Sequence, residues 1–179
     1  DLYSTLLPKY QDVILDDIVK ALTLPFEQSM FYFNMRYELG SGFGYGTGPL
    51  FQCDNDKLKN ACKEFPDILQ ERFAEMCPVC NFINDETTME LSDFFIWLVN
   101  NYGDNEKVLQ YLSSNFGTYS YIGVGSMKGY YMNRQNMFKP LLVHENPKVA
   151  DWAKNMYKTE EREVNYQQMI DDYKDMTKN

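Results

Sequence analysis

The sequence has few of the features that mark membrane proteins, β-sheet proteins or histidine-based catalysts. It contains one histidine among 179 residues, no run of 18 apolar residues, and 16 valines and isoleucines against 28 aromatic residues. The absence of a long apolar run argues against a membrane span, and the scarcity of β-branched residues argues against a β-sheet core. Because 44% of the residues are hydrophobic, the chain has enough apolar surface to fold. We therefore predict a folded protein with no membrane partner.

Basic charge is scarce as well. The chain has 17 Lys and Arg against 26 Asp and Glu, a net charge of -9. Nucleic acids and anionic lipids carry charge of the same sign, so we expect no broad electrostatic binding to either. Residues 104–156 are the locally basic part, with a net charge of +2 from 6 basic and 4 acidic residues. This excess is small beside the surrounding acidity, which argues against nucleic acid as the partner.

The spacing of apolar residues predicts helices. From Leu2 to Leu22 they recur at steps of three and four, the period of an amphipathic helix. A second helix, rich in aromatic residues, is predicted over 26–39. Residues suited to cap a helix or to occupy its first turn mark six further starts. They are Asp54, Pro66, Thr88, Asp104, Ser126 and Asn146. We predict an all-α domain over residues 1–157 and a helical tail over 158–179.

The connections between these helices bear on the architecture. Tight turns alternate with longer loops, and helices joined by a tight turn pack as antiparallel neighbours. This alternation of tight turns and longer loops favours a stack of antiparallel helix pairs. An irregular α-helical bundle is the alternative.

The later part of the chain carries a more specific pattern. The segment Phe116-Gly-Thr-Tyr-Ser-Tyr-Ile-Gly-Val-Gly-Ser126 precedes a helix ending in Leu141-Leu-Val-His144, and Glu145-Asn-Pro-Lys-Val-Ala-Asp-Trp-Ala153 opens the next. Residues 116–157, about a quarter of the chain, resemble the C-terminal end of HEAT-like helical-repeat regions in large multidomain bacterial proteins. Some of these are signal-transduction-type NTPases implicated in phage defence.

This resemblance implies a HEAT-like stack of helices and a sensing or regulatory role at one end of a larger protein. In that family the NTP-binding residues lie in a different domain and have no counterpart here. The chain starts at Asp1 without an initiator Met, so we expect either a fragment or a processed chain. The resemblance implies the first, a fragment of a larger bacterial protein.

Four cysteines lie within one stretch of 28 residues. Cys77-Pro-Val-Cys80 has the spacing of two zinc ligands, and Cys53 and Cys62 could complete a set of four thiolates. Because a second Cys-x-x-Cys is absent, buried reduced thiols are the favoured interpretation, zinc is the alternative, and no other cofactor is expected. Crowding in one stretch also favours a cytoplasmic protein over a secreted domain with two disulfides.

Aromatic residues in two glycine-rich loops are the candidate binding residues, because Tyr and Phe are favoured anchors in protein interfaces. Basic residues follow the second loop. The candidate partner-binding residues are Phe43, Tyr45, Tyr119, Tyr121, Lys128 and Arg134.

We predict a non-catalytic recognition or scaffolding domain that binds a protein partner or sister domains of the same chain. This function predicts an exposed apolar patch. The alternative is a small metal-binding or ligand-binding helical enzyme domain centred on the cysteine cluster.

Overall fold

The computed structural model describes residues 2–25, 36, 38–40, 48–83, 88–117 and 127–177. The chain divides into two compact units. Unit 1 comprises Asp1–Val79 and Ser92–Tyr119, and unit 2 comprises Cys80–Leu91 and Ser120–Asn179. Within the described residues no helix has both the length and the apolarity needed to cross a membrane.

The protein is all-α, as predicted, apart from one small sheet. The labelled elements of unit 1 are α1 (Leu2–Leu22), a 3-10 helix (Pro49–Gln52), α2 (Asn55–Glu64), α3 (Pro66–Met76), α4 (Asp93–Tyr102) and α5 (Glu106–Gly117). Those of unit 2 are β1 (Cys80–Ile83), β2 (Thr88–Leu91), α6 (Lys128–Met137), a 3-10 helix (Lys139–Val143) and α7 (Pro147–Met176).

Three predicted helix starts are confirmed. The Asp54 side chain accepts a hydrogen bond from the Asp56 backbone N–H at 2.9 Å, and α2 follows. Pro66 occupies the first turn of α3, where its missing N–H costs no helical bond. Asn146 accepts from the Lys148 N–H at 2.9 Å, and Pro147 opens α7. Cap and first-turn chemistry is local, which is why the sequence reveals these starts.

The predicted helix start at Thr88 is wrong. Thr88 begins β2, which pairs with β1 in antiparallel register, so that Cys80 lies opposite Leu91. The next helix, α4, instead begins after Ser92, whose hydroxyl accepts from the Phe95 N–H at 3.2 Å and donates to the Pro78 carbonyl at 2.7 Å. Strand pairing joins residues distant in sequence, so a cap residue alone does not reveal it.

The start predicted at Asp104 is also displaced. Helix α5 begins at Glu106, and the Asn105 side chain accepts from the Lys107 N–H at 3.0 Å. Two other predictions fall partly or wholly outside the described residues. Ser126 is not described, and α6 has Met127 as its N-cap residue without a side-chain cap. Of the predicted helix over 26–39, the described residues Arg36, Glu38 and Leu39 are helical.

Aromatic packing holds the core of unit 1 together. Phe51 from the first 3-10 helix, Phe73 from α3 and Phe94 from α4 meet edge to face, with ring centroids 5.2 to 6.4 Å apart. The buried Asn115 side chain of α5 donates to the carbonyls of Ala74 and Cys77 at 2.8 and 3.1 Å. These bonds satisfy carbonyls at the end of α3, where the helix supplies no partner.

Helices α6 and α7 pack against each other in unit 2, and α6 also contacts β2. The helix expected to end in Leu141-Leu-Val-His144 is shorter than that: α6 ends at Met137, and the chain continues as a 3-10 helix with Pro140 in its first turn. Helix α7 then runs without interruption from Pro147 to Met176. It therefore continues through residue 157, and the separation of 158–179 as a tail stays a prediction.

Two glycines meet where the chain enters and leaves the segment 41–47. A Cβ on Gly48 would lie 2.0 Å from the Gly40 carbonyl oxygen, and a Cβ on Gly40 would lie 2.6 Å from the Arg36 carbonyl oxygen. Both neighbours are backbone atoms, so a side chain cannot be accommodated by a rotamer change. The close approach of Gly40 and Gly48 therefore requires glycine at both positions.

We expect Gly48→Ala to lower the free energy of unfolding by about 1 to 3 kcal/mol, because the added methyl must displace backbone. Gly129→Ala is the matched control, since a Cβ at this position in α6 has open space around it. That variant should be neutral or more stable by up to about 1 kcal/mol. Urea unfolding measures both values, and equal losses in the two variants would contradict the close packing at Gly48.

Candidate partner-binding surface

The structure places the predicted binding residues in three different settings. Phe43, Tyr45, Tyr119 and Tyr121 lie outside the described residues, so their role stays a prediction. Lys128, at the start of α6, is half-buried and donates from Nζ to Gln168 Oε1 of α7.

Arg134 is buried within unit 2, with 9% of its surface exposed. Its Nη2 lies 2.7 Å from Oε1 of Glu160 on α7, and Glu160 is 2% exposed. Its Nη1 donates to the Tyr130 hydroxyl at 3.3 Å. The guanidinium carbon lies 5.5 Å from the Tyr130 ring centroid and 5.9 Å from that of Tyr131. Arg134 thus joins α6 to α7 and is not part of an exposed basic surface.

Burial and charge act in opposite directions on this pair. Burial raises the pKa of Glu160, and the neighbouring Arg134 opposes the rise without cancelling it. Burial alone would lower the pKa of Arg134, but Glu160 and Tyr130 outweigh this and leave it above its usual value. Burying two charges is costly, and each charge is tolerated here because the other is present.

We expect Arg134→Met to lower the free energy of unfolding by about 3 to 5 kcal/mol, since Glu160 would remain buried without a guanidinium beside it. The double variant Arg134→Met/Glu160→Leu should recover most of this loss, because neither charge is then buried. Lys57→Met is a matched control from the exposed pair between Lys57 and Asp12, and should cost less than about 1 kcal/mol. If the double variant lost as much free energy of unfolding as Arg134→Met, packing and not charge pairing would account for the effect.

All four cysteines are buried and none forms a disulfide, as predicted for reduced thiols. Cys77 Sγ donates to the Pro78 carbonyl at 3.3 Å, and burial raises its pKa despite a hydrogen bond with Ser92. Burial raises the pKa of Cys62 to about 11, against a smaller opposing effect of its hydrogen bond with Tyr102. A protonated, inaccessible thiol is a poor nucleophile.

The zinc prediction involves Cys77 and Cys80, which the structure assigns to different compact units. Among the described residues no group of three His, Cys, Asp or Glu side chains is placed to hold a metal ion. The single histidine, His144, accepts a hydrogen bond at Nδ1 from the Asn146 N–H at 3.0 Å, just before α7. Zinc binding stays a prediction.

We expect the four thiols of the native protein to react slowly with a colourimetric disulfide reagent at neutral pH, because all are buried and burial raises the pKa of Cys53, Cys62 and Cys77. In guanidinium without reductant, four thiols should react at once. Fewer than four under these conditions would reveal disulfides and support the secreted alternative.

The described surface carries one row of large apolar side chains that we call the α7 stripe. Its members are 57% to 76% exposed. They are Tyr166, Met169, Tyr173 and Met176. These residues are spaced by three, four and three positions, so their side chains form one row along α7. This row is an apolar patch of the kind that the recognition hypothesis predicts.

The packing of α7 explains why the stripe faces outward. Val149, Ala153 and Glu160 are buried, and Gln168 bonds to Lys128 of α6, so these residues define the inner face. At about 100° per residue, the stripe lies roughly 120° to 180° around the helix axis from Glu160. No rotation of α7 buries both faces against α6.

The sequence alone points to the glycine-rich loops as binding surfaces and predicts only one weakly apolar helical face in the segment that carries the stripe. Its signal was present in the spacing of 166, 169, 173 and 176, but such spacing equally indicates a core-facing helix. The position of Glu160, which fixes the inner face, and the exposure of every residue from 172 to 177 distinguish the two.

Two open clefts lie in unit 1. One, of about 300 Å³, lies between α1 and α2 and includes the Lys57–Asp12 pair. The other, of about 260 Å³, lies between α3 and α5, where Lys107 Nζ is 3.3 Å from Glu71 Oε2. Both linings mix acidic and basic side chains, whereas small-molecule sites are mostly apolar with a few polar groups.

Comparisons with protein-family models, curated proteins and solved structures found no match for this chain. The resemblance of residues 116–157 to HEAT-like repeat regions stays a prediction.

Proposed function

We propose that this chain is a non-catalytic recognition or scaffolding domain that binds a protein partner, or a sister domain of the same chain, through the α7 stripe. The observation that carries this proposal is the exposure of four Tyr and Met side chains in one row. The buried thiols and the buried Arg134 support it, because they leave the stripe, and not the cysteines or the predicted basic residue Arg134, as exposed surface for a partner.

The chemistry of the stripe suits a binding surface. Tyr is enriched among the residues that dominate binding energy, and Met adapts its shape to different partners. Covering apolar surface gains about 25 cal/mol per Å², so four such side chains offer a useful driving force. Exposed apolar side chains scattered singly are common, but a contiguous row indicates an interaction site.

Two further proposals accompany this one. The first is that the domain is the regulatory end of a larger NTPase-type bacterial protein, which rests on the resemblance of residues 116–157. The second, competing proposal is a metal-binding or ligand-binding enzyme domain centred on the cysteines. Stoichiometric zinc in the purified chain would support the enzyme proposal against recognition.

Site-specific photocrosslinking tests the recognition proposal. A benzophenone amino acid replaces Tyr166 in one variant and Tyr10 in the control, since Tyr10 on α1 is 53% exposed and also a tyrosine. In an extract of the source cells, or in the longer protein where one exists, we expect discrete adducts from position 166 and none from position 10.

Adducts of equal amount and pattern from both positions would show non-specific contact and contradict the proposal. Absence of adducts from position 166 would contradict it as well. A third variant with the probe at Met176 reports whether one partner spans the whole stripe, because Tyr166 and Met176 are about 15 Å apart along the axis.

A further inference from the structure

We propose that the partner of the α7 stripe is an amphipathic helix whose apolar residues are flanked by Lys and Arg, and that it pairs with α7 as a short two-stranded coiled coil. This inference rests on the proposed recognition function and names the class of partner. The observations that carry it are the spacing of the stripe and the sign of the charges beside it.

The spacing of the stripe matches that of a coiled-coil seam. Tyr166, Met169, Tyr173 and Met176 occupy alternating a and d positions of a heptad, the positions that face a second helix. A convex helical row of this kind fits against another helix by inserting side chains between those of the partner. It offers no concave pocket for a small ligand.

The stripe is short, which limits the pairing. Arg162 occupies the d position before Tyr166 and ends the apolar row on that side. About two heptads are then available, so the complex should be weak and reversible unless other surfaces contribute.

The charges beside the stripe have mostly one sign. Residues 163–177 carry four acidic side chains and one basic side chain, a net charge of -3. The charged residues at the flanking e and g positions within this range are Glu163 and Asp172, both acidic. In coiled coils these positions select the partner by charge complementarity. A partner with Lys or Arg at its own e and g positions therefore fits best.

The same charges disfavour a second copy of this chain. Self-association would bring two segments of net charge -3 together, on chains of net charge -9 each. Like charges across an interface cost free energy and slow the encounter. For a basic helix, opposite charges lower the free energy of the complex and speed the encounter.

Peptide titration of the full chain tests the inference. The probes are two synthetic amphipathic helices with Leu at a and d, one with Lys and the other with Glu at e and g. We expect the Lys peptide to bind at least about tenfold more tightly than the Glu peptide, with the difference shrinking at high salt.

Two pairs of variants separate the contributions of stripe and charge. Tyr173→Ser/Met176→Ser should lower the affinity for the Lys peptide by about tenfold. The control Tyr10→Ser/Val13→Ser changes two exposed residues of α1 and should leave this affinity unchanged. Glu163→Gln/Asp172→Asn should reduce the preference for Lys, whereas Asp16→Asn/Asp17→Asn removes the same charge from α1 and should not.

Equal affinity for both peptides would overturn the inference. Unchanged affinity of Tyr173→Ser/Met176→Ser for the Lys peptide would overturn it as well, because the peptide would then be attracted only by the overall acidity of the chain. A dimer in sedimentation equilibrium that Tyr173→Ser/Met176→Ser abolishes would identify a second copy as the occupant instead. Crosslinking at Tyr166 tests recognition whatever the charge of the partner. If specific adducts form there but both peptides bind equally, the proposed function stands and this inference is wrong.

Discussion

The buried ion pair between Arg134 and Glu160 determines how α7 lies on α6. The two atoms in contact are 2.7 Å apart, and both residues are almost fully excluded from solvent. A shift of one residue along α7 would turn Glu160 by about 100° and place either Thr159 or Glu161 beside Arg134. Thr159 would leave the guanidinium buried without a carboxylate, and the shift that brings in Glu161 would also put Lys154 in the buried place of Ala153. Because an isolated buried charge is far more costly than a pair, the Arg134–Glu160 contact and the buried Ala153 together specify the rotation and the register of the helix. Apolar packing, such as that between Phe138 and Trp152, tolerates small shifts more easily.

The outer face of α7 follows from this constraint. Once Glu160 points inward, the Tyr and Met residues of the stripe must point away from α6, whatever their hydrophobicity. An amphipathic surface helix normally has one apolar face. Helix α7 has an inner face with Val149 and Ala153 and, further along, an outer face with Tyr166 and Tyr173. The second face contributes nothing to the packing on α6, and it is the surface through which we propose that α7 binds another chain or domain.

The sequence predicts the parts of this structure that depend on neighbouring residues. The helical period, the caps at Asp54 and Asn146 and the interruption at Pro140 are all recognisable within a few positions. Contacts between distant residues are not. Thr88 looks like a helix cap until its segment pairs with β1, and Arg134 looks like a surface cation until Glu160, 26 positions later, lies against it. The stripe is an intermediate case, because its spacing is evident in the sequence but its exposure depends on the Arg134–Glu160 contact.

Chemical reactivity is low in the parts of the chain that are described. The thiols are buried, the one histidine accepts a backbone hydrogen bond, and the buried carboxylate is paired with a guanidinium. Catalysis requires groups that reach a substrate with a usable protonation state. Recognition requires only surface that gains free energy when it is covered. The exposed Tyr and Met side chains of α7 meet that second requirement, and the acidic residues beside them are the basis on which we propose a basic partner.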